Sequence, residues 1–308
     1  MKPPPFEYHR PASLGAALRV LAEVGPDGKV LAGGQSLVPL LNMRLAAPRH
    51  LVDINQLAEL AYVRVAGDAT SGGTVRVGAL ARHADLERDA AAYAAVPLLR
   101  RATEQVAHPT IRNRGTTVGS LVHADPAAEL PAVLVLLDGS VELASAGAAG
   151  AGGAGGAVVT RTVPAGELFV GPLESAVRPG ELAVAATFRV PPAGTGSAFL
   201  ELSRRHGDYA LAGVGVLLAV DGDRRVTGLR AAYLSVGPTP VLLDLTEAVA
   251  GRPVDAVDWT AAGALAAGQV EPEADIHATA GYRRHLVEVL TARAARAAGT
   301  DAVERWAA

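Results

Sequence analysis

Two glycine-bearing segments hold the residues whose types and spacing could grip a charged ligand. The first reads Leu31-Ala32-Gly33-Gly34-Gln35-Ser36-Leu37. A strand that ends in glycines before a helix can point successive backbone N–H groups into one concavity, because glycine reaches conformations that other residues avoid. A helix start just behind adds partial positive charge, and Ser36 adds a hydroxyl. Such a turn could hold a pyrophosphate without a lysine. A tight strand-to-helix turn with no ligand explains the same pattern. The second segment runs Arg112-Asn113-Arg114-Gly115-Thr116-Thr117-Val118-Gly119-Ser120-Leu121-Val122-His123-Ala124-Asp125-Pro126-Ala127-Ala128-Glu129-Leu130. It gathers the hydroxyls of Thr116, Thr117 and Ser120 with Gly119 and the carboxylates of Asp125 and Glu129. Asp125-Pro126 also reads as an ordinary helix N-terminus with proline in its first position. His123 could touch a cofactor or be satisfied by backbone.

Several chemistries are excluded. Neither of the two segments contains Gly-x-Gly-x-x-Gly or Gly-x-x-x-x-Gly-Lys-Ser/Thr, which argues against a standard Rossmann or P-loop site. The sequence has 0 cysteines, so it offers no disulfide, no thiolate nucleophile, no cysteinyl-flavin link and no iron–sulfur cluster held in the usual way. The 8 histidines are spread singly without His-x-x-x-His or His-Glu-x-x-His, and no metal site is expected. Gly-x-Ser-x-Gly is absent, and no side chain presents itself as acid, base or nucleophile. Arg204-Arg205 reads as a solvated pair or a docking surface, with structural ion pairing favoured for at least one of the two.

The elements that position these segments follow from periodicity. With 308 residues, 50% hydrophobic and 19% charged, the chain is long enough for two domains or for one large domain with an appendage. Residues 13–24 read as an amphipathic helix capped by Ser13 and ended by Gly25. Strands are expected over 29–32 and 50–54, with a short helix from near Ser36 carrying Leu37, Leu40 and Leu41 inward. Residues 62–65 and 74–77 alternate as a hairpin, helices follow near 83–90 and 96–106, and a strand near 141–144. The tract 146–157 contains only glycine and alanine and reads as a loop between strands. Strands over 183–190, 198–203, 212–220 and 226–236 are expected to form one antiparallel sheet, with helices near 246–250, 258–267 and 279–297. The net charge of -3 and scattered arginines lack the basic stripe of a nucleic-acid surface. No run reaches the ~18 apolar residues of a membrane span, and no signal-peptide core is visible, so a cytoplasmic address is expected.

Together the two segments resemble the FAD-binding medium subunits of the molybdenum hydroxylases, the group that includes carbon monoxide dehydrogenase and xanthine dehydrogenase. The likeness rests on Ala32 to Pro39, on Met43-Arg44-Leu45, Pro48 and Leu51-Val52-Asp53-Ile54, on 112–131, and on Ser203-Arg204-Arg205-His206-Gly207-Asp208-Tyr209-Ala210. It implies an α+β fold. A FAD-binding region over 1–175, in subdomains of about 1–58 and 59–175, would be similar to the vanillyl-alcohol oxidase type. A C-terminal domain of antiparallel sheet and helices would fill 176–308. It also implies non-covalent FAD. Leu31 to Leu37 would line the pyrophosphate and ribityl chain. Thr116, Thr117, Gly119, Ser120 and His123 would form a second wall, and Asp125 and Glu129 would bond sugar or ribityl hydroxyls. The implied partners are a small subunit with 2Fe-2S clusters and a large subunit with the molybdenum cofactor, usually in a dimer of three-subunit units. Electrons would pass from the clusters through FAD to an acceptor. A free-standing FAD-dependent oxidoreductase and a non-catalytic flavin-binding module are the alternatives. Two departures stand out. Family members often read Thr-Ile-Gly-Gly where this chain has Thr116-Thr117-Val118-Gly119, and valine cannot use glycine-only backbone space. Many also carry a lysine where this chain has Phe199-Leu200-Glu201-Leu202, so a cation there is not carried over.

Overall fold

The computed structural model describes residues 2–147 and 157–307. The glycine–alanine loop lies, over 148–156, outside the described residues.

The chain opens as a parallel unit. Strands β1 (Glu7–His9), β2 (Gly28–Leu31) and β3 (His50–Asp53) form a sheet in the order β1-β3-β2. Helix α1 (Leu14–Val24) leads into β2, and α2 (Leu37–Met43) connects β2 to β3. The Ser13 hydroxyl accepts from the Ala16 N–H, and Gly25, at φ 56°, ends α1. Ala17, Leu18 and Leu21 form its buried face. In α2 only Leu41 is buried, while Leu37 and Leu40 are half-exposed.

The second unit is built on an antiparallel sheet. Strands β4 (Val63–Ala66) and β5 (Thr74–Gly78) form the expected hairpin. The helices α3 (His83–Arg88), α4 (Ala90–Ala95), α5 (Pro97–Thr103), α6 (Pro109–Arg112), α7 (Thr117–His123) and α8 (Glu129–Leu136) come next. Then follow β6 (Ser140–Ala146), β7 (Val158–Pro164), α9 (Ala165–Leu168), the small ribbon of β8 (Phe169–Gly171) and β9 (Glu174–Ser175), and β10 (Glu181–Arg189). The sheet order is β4-β5-β10-β6-β7. This corrects one expectation: the strand near 183–190 does not join the C-terminal sheet. It pairs with β5 (Ala185 opposite Gly78) and with β6 (Ala186 opposite Val141) at the centre of this one. Its run Leu182 to Ala186 is buried on both faces, and such a run does not announce which sheet it completes. One hydrophobic cluster joins α1 and β3 to β5, α8, β6 and β10.

The last unit is a four-stranded antiparallel meander of β11 (Thr195–Ser203), β12 (Ala210–Val220), β13 (Val226–Leu234) and β14 (Val241–Asp244). Helices α10 (Trp259–Gln269) and α11 (Ala280–Ala307) pack on it, and α11 runs well past the expected end. The stretch near 246–250 is a 3-10 turn, Thr246–Ala248, instead of an α-helix. Ala294, Ala295, Ala298 and Ala302 are fully buried. This alanine face lets α11 lie so close to β11 that a Cβ at Gly196 would come 2.1 Å from the Ala298 carbonyl oxygen. The Arg101 guanidinium of α5 pairs with Asp301 of α11 at 2.7 Å, and Asp301 also accepts from the Ser197 N–H at 2.8 Å. One carboxylate thus ties helices and strand across the seam between the second and third units.

Candidate functional site

The turn between β2 and α2 and the loop between α6 and α7 are in direct contact. A Cβ on Gly33 would lie 2.4 Å from the Arg114 carbonyl oxygen and 2.8 Å from the Gly115 Cα, so only glycine allows the two backbones to approach. Gly34, at φ 77°, completes the bend, and its carbonyl accepts from the Val38 N–H at 2.9 Å. Ser36 precedes α2 without using its hydroxyl as a cap, and it is exposed. The side-chain amide of half-buried Gln35 donates to the Gly33 carbonyl at 3.3 Å. Leu31, Ala32, Gly33, Gly34, Gln35, Val38, Pro39, Asp53, Asn55 and Arg114 line a cleft of 370 Å³.

A polar network that the sequence did not reveal holds this junction. The Asn55 side chain donates to the Ala32 carbonyl at 2.9 Å and to Asp53 Oδ1 at 2.6 Å. Asp53 Oδ2 accepts from the Tyr8 hydroxyl. Arg82 bridges the two segments, donating to the Arg114 carbonyl and to Asn55 Oδ1, each at 2.7 Å. Desolvation works against the Asp53 carboxylate. Hydrogen bonds from Tyr8 and from the Asn55 side chain and backbone outweigh it and hold the carboxyl below its ordinary value. Asp53 stands in the Leu-Val-Asp-Ile run, but Asn55 and Arg82 have no local signature.

In the second segment, Thr116 Oγ1 accepts from the Gly119 N–H at 3.2 Å and caps α7. A Cβ at Gly119 would sit 2.5 Å from that oxygen, so a larger residue there would shift the Thr116 hydroxyl. Thr117 is fully buried and its hydroxyl has no partner among the described residues. Val118 lies in α7 with its side chain in the core, and no left-handed backbone is asked of it. Ser120 and His123 are half-buried, and desolvation lowers the His123 pKa. Arg112 is committed to structure through Glu87 at 2.8 Å and the carbonyls of residues 104, 106 and 107.

Asp125-Pro126 is not a helix start. Asp125 Oδ1 accepts from the Ala127 N–H at 2.9 Å in a turn, and α8 begins at Glu129. Competition from this side-chain-to-backbone bond sets the later start. Burial pushes the Glu129 carboxyl up to about 7, with Asp125 adding to the effect. Glu201, on β11, is pushed up to about 8 by burial and then by the charge of Glu129. Its Oε2 is buried without a hydrogen-bond partner among the described residues. A buried polar atom in this state is uncommon and marks a place where a ligand or water would be welcome. In the sequence this stretch shows only as a strand that lacks the lysine of many relatives.

The third motif forms the β11–β12 connection. Gly207, at φ 86°, leaves room for His108, whose ring would meet a Cβ there at 2.6 Å. The expected ion pair for Arg204 or Arg205 is not formed among the described residues. Arg204 instead reaches the carbonyls of Ile276 and His277 at 3.4 Å, because the loop carries both arginines into solvent.

The residues present fit a long ligand with an anionic middle. Backbone N–H groups and the exposed Ser36 hydroxyl can serve phosphate oxygens, and Asp125 and Glu129 can serve sugar hydroxyls. Comparison with known proteins agrees in kind. Residues 4–192 match the FAD binding domain in molybdopterin dehydrogenase, and residues 197–298 match the CO dehydrogenase flavoprotein C-terminal domain. The chain is 40% identical to the 6-hydroxypseudooxynicotine dehydrogenase complex subunit alpha of Paenarthrobacter nicotinovorans, over 95% of this chain and 94% of that one. It superposes with a TM-score of 0.85 and 34% identity on the carbon monoxide dehydrogenase of Hydrogenophaga pseudoflava that lacks the Mo-pyranopterin moiety of the molybdenum cofactor, covering 98% of this chain and 99% of that one. For quinoline 2-oxidoreductase from Pseudomonas putida 86 the TM-score is 0.87 and the identity 33%, covering 98% and 99%.

Fold and site therefore define an FAD-binding oxidoreductase subunit. The chain belongs to the family of FAD-binding medium subunits of the molybdenum hydroxylases, whose role is electron transfer. Among the described residues, no helix is long and apolar enough to cross a membrane.

Proposed function

We propose that this chain holds FAD non-covalently across the junction of Leu31–Leu37 with Thr116–Glu129, and that it relays electrons from clusters on a small iron–sulfur partner to an acceptor. A large molybdenum-cofactor subunit would oxidise the substrate, and the whole would assemble in the cytoplasm as a dimer of three-subunit units. The carrying observation is the backbone contact of Gly33 with Arg114 and Gly115, which supports reading the two segments as one cleft. Gly33 and Gly34 present N–H groups to the pyrophosphate, with Gln35 and the free Ser36 hydroxyl beside them. Leu31, Ala32 and Leu37 bound that wall. Thr116, Gly119 and the buried Thr117 brace the opposite wall, where Ser120 and His123 face the ligand. Asp125 and Glu129 accept from sugar or ribityl hydroxyls. Bound FAD supplies redox chemistry in single or paired electrons, which no side chain here can supply.

The domain division we favour runs through the linker between β10 and β11. The strand pairing of β10 supports it over a boundary near residue 175. We infer further that the first two units form a region of the vanillyl-alcohol oxidase type. A small parallel unit packed against a larger antiparallel sheet favours this reading.

The test is the absorbance spectrum of the purified chain, before and after acid precipitation. Oxidised-flavin bands with FAD in the supernatant are expected. A colourless chain that takes up no added FAD, alone or with its copurifying partners, would overturn the proposal.

A further inference from the structure

Strand β1 lies parallel to β3, with Glu7 opposite His50 and His9 opposite Val52. Side chains alternate along a strand, so Glu7 and His9 share one face and Tyr8 takes the other, where it reaches Asp53. His50 lies on the Glu7 face. Its register partner on the far side is Gly28, which adds no side chain to crowd the ring. The result is a convergence of ligand groups. His9 Nε2 is 3.0 Å from His50 Nδ1, Glu7 Oε1 is 3.8 Å from His9 Nε2, and Glu7 Oε2 is 3.6 Å from His50 Nδ1.

A hydrogen bond between the rings uses one proton and leaves the carboxylate beyond hydrogen-bond distance of either nitrogen. An ion at the centre serves all of them. With metal–ligand bonds of about 2.0–2.1 Å, ligands around a tetrahedral ion sit roughly 3.3 Å apart. The spacings of 3.0, 3.6 and 3.8 Å bracket that separation. Imidazole pairs with a carboxylate suit zinc-class ions, whereas calcium and magnesium ask for more oxygen ligands. The histidine side chains are 22% and 25% exposed and that of Glu7 is 67% exposed, so an ion can enter from solvent.

We propose that Glu7, His9 and His50 form a binding site for a divalent transition-metal ion of the zinc class, with a fourth position open to water. The ion clasps β1 to β3 on the face opposite the Tyr8–Asp53 hydrogen bond. The histidines stand 41 residues apart in the chain, so their linear spacing carries no metal signature. Strand register alone joins them.

The experiment is calorimetric titration of the chelator-stripped full chain with Zn2+, repeated on variants. One ion per chain is expected. His9→Gln and His50→Gln should each weaken binding by more than about tenfold, since even outer-shell changes cost that much at metal sites. Glu7→Gln, at an exposed position, should weaken it to a smaller degree. His285→Gln, an exposed histidine on α11, should leave it unchanged. Far-UV circular dichroism checks that each variant folds, and if a histidine variant does not, Glu7→Gln decides. No zinc uptake, or uptake by the His9→Gln, His50→Gln and Glu7→Gln chains equal to that of the parent chain, would overturn the site. So would loss of uptake on His285→Gln.

Discussion

Gly33 lies against the Arg114 carbonyl so closely that a methyl group at position 33 would come within 2.4 Å of the oxygen. The contact is backbone to backbone, with no flexible side chain to yield. Gly33→Ala must therefore separate the turn after β2 from the loop before α7. We expect a stability loss of about 1–3 kcal/mol, as for other overpacked sites, together with loss of bound FAD on desalting. The ratio of protein to flavin absorbance and a urea midpoint report the two effects. A variant that keeps full flavin content would separate the contact from cofactor binding.

Glu201 makes stability depend on pH in a definite direction. Its carboxyl rises from 4.5 to about 8 on folding. Between those values the folded state binds more protons than the unfolded one, so this group's contribution to stability falls as pH rises and levels off above about 8. Glu201→Gln removes the titration. The melting temperature of the variant should gain on that of the parent chain as pH is raised through the interval. A variant-minus-parent difference that stays constant, or falls with rising pH, would contradict the burial of an unpartnered carboxyl.

Asp301 joins α11 to both α5 and β11 through Arg101 and the Ser197 N–H. Asp301→Ala leaves the half-buried Arg101 guanidinium without its carboxylate, held only by the Ser197 carbonyl and hydroxyl. The expected cost is about 1–3 kcal/mol, in the range for lost hydrogen bonds to charged groups. Protease nicking between β10 and β11 should rise as well. Chemical denaturation of the variant measures the first effect and limited proteolysis the second.

Much of the local architecture was written in contiguous residues. Ser13 and Gly25 delimit α1, the hairpin of β4 and β5 shows in its alternation, and the glycine pairs mark turns that no other residue can make. These features depend on backbone chemistry within a few positions, which a linear reading can see. The resemblance to a family also rested on such contiguous runs. What only the tertiary structure decided involves register between distant strands. It put β10 between β5 and β6, because a doubly buried apolar run fits the middle of either sheet. It joined Arg82 and Asn55 to the Ala32 and Arg114 carbonyls, and left the Glu201 carboxyl buried. It also set His9 beside His50. Each of these depends on which residues face one another across a gap in the chain. That is decided by packing the whole core, and no single segment encodes it.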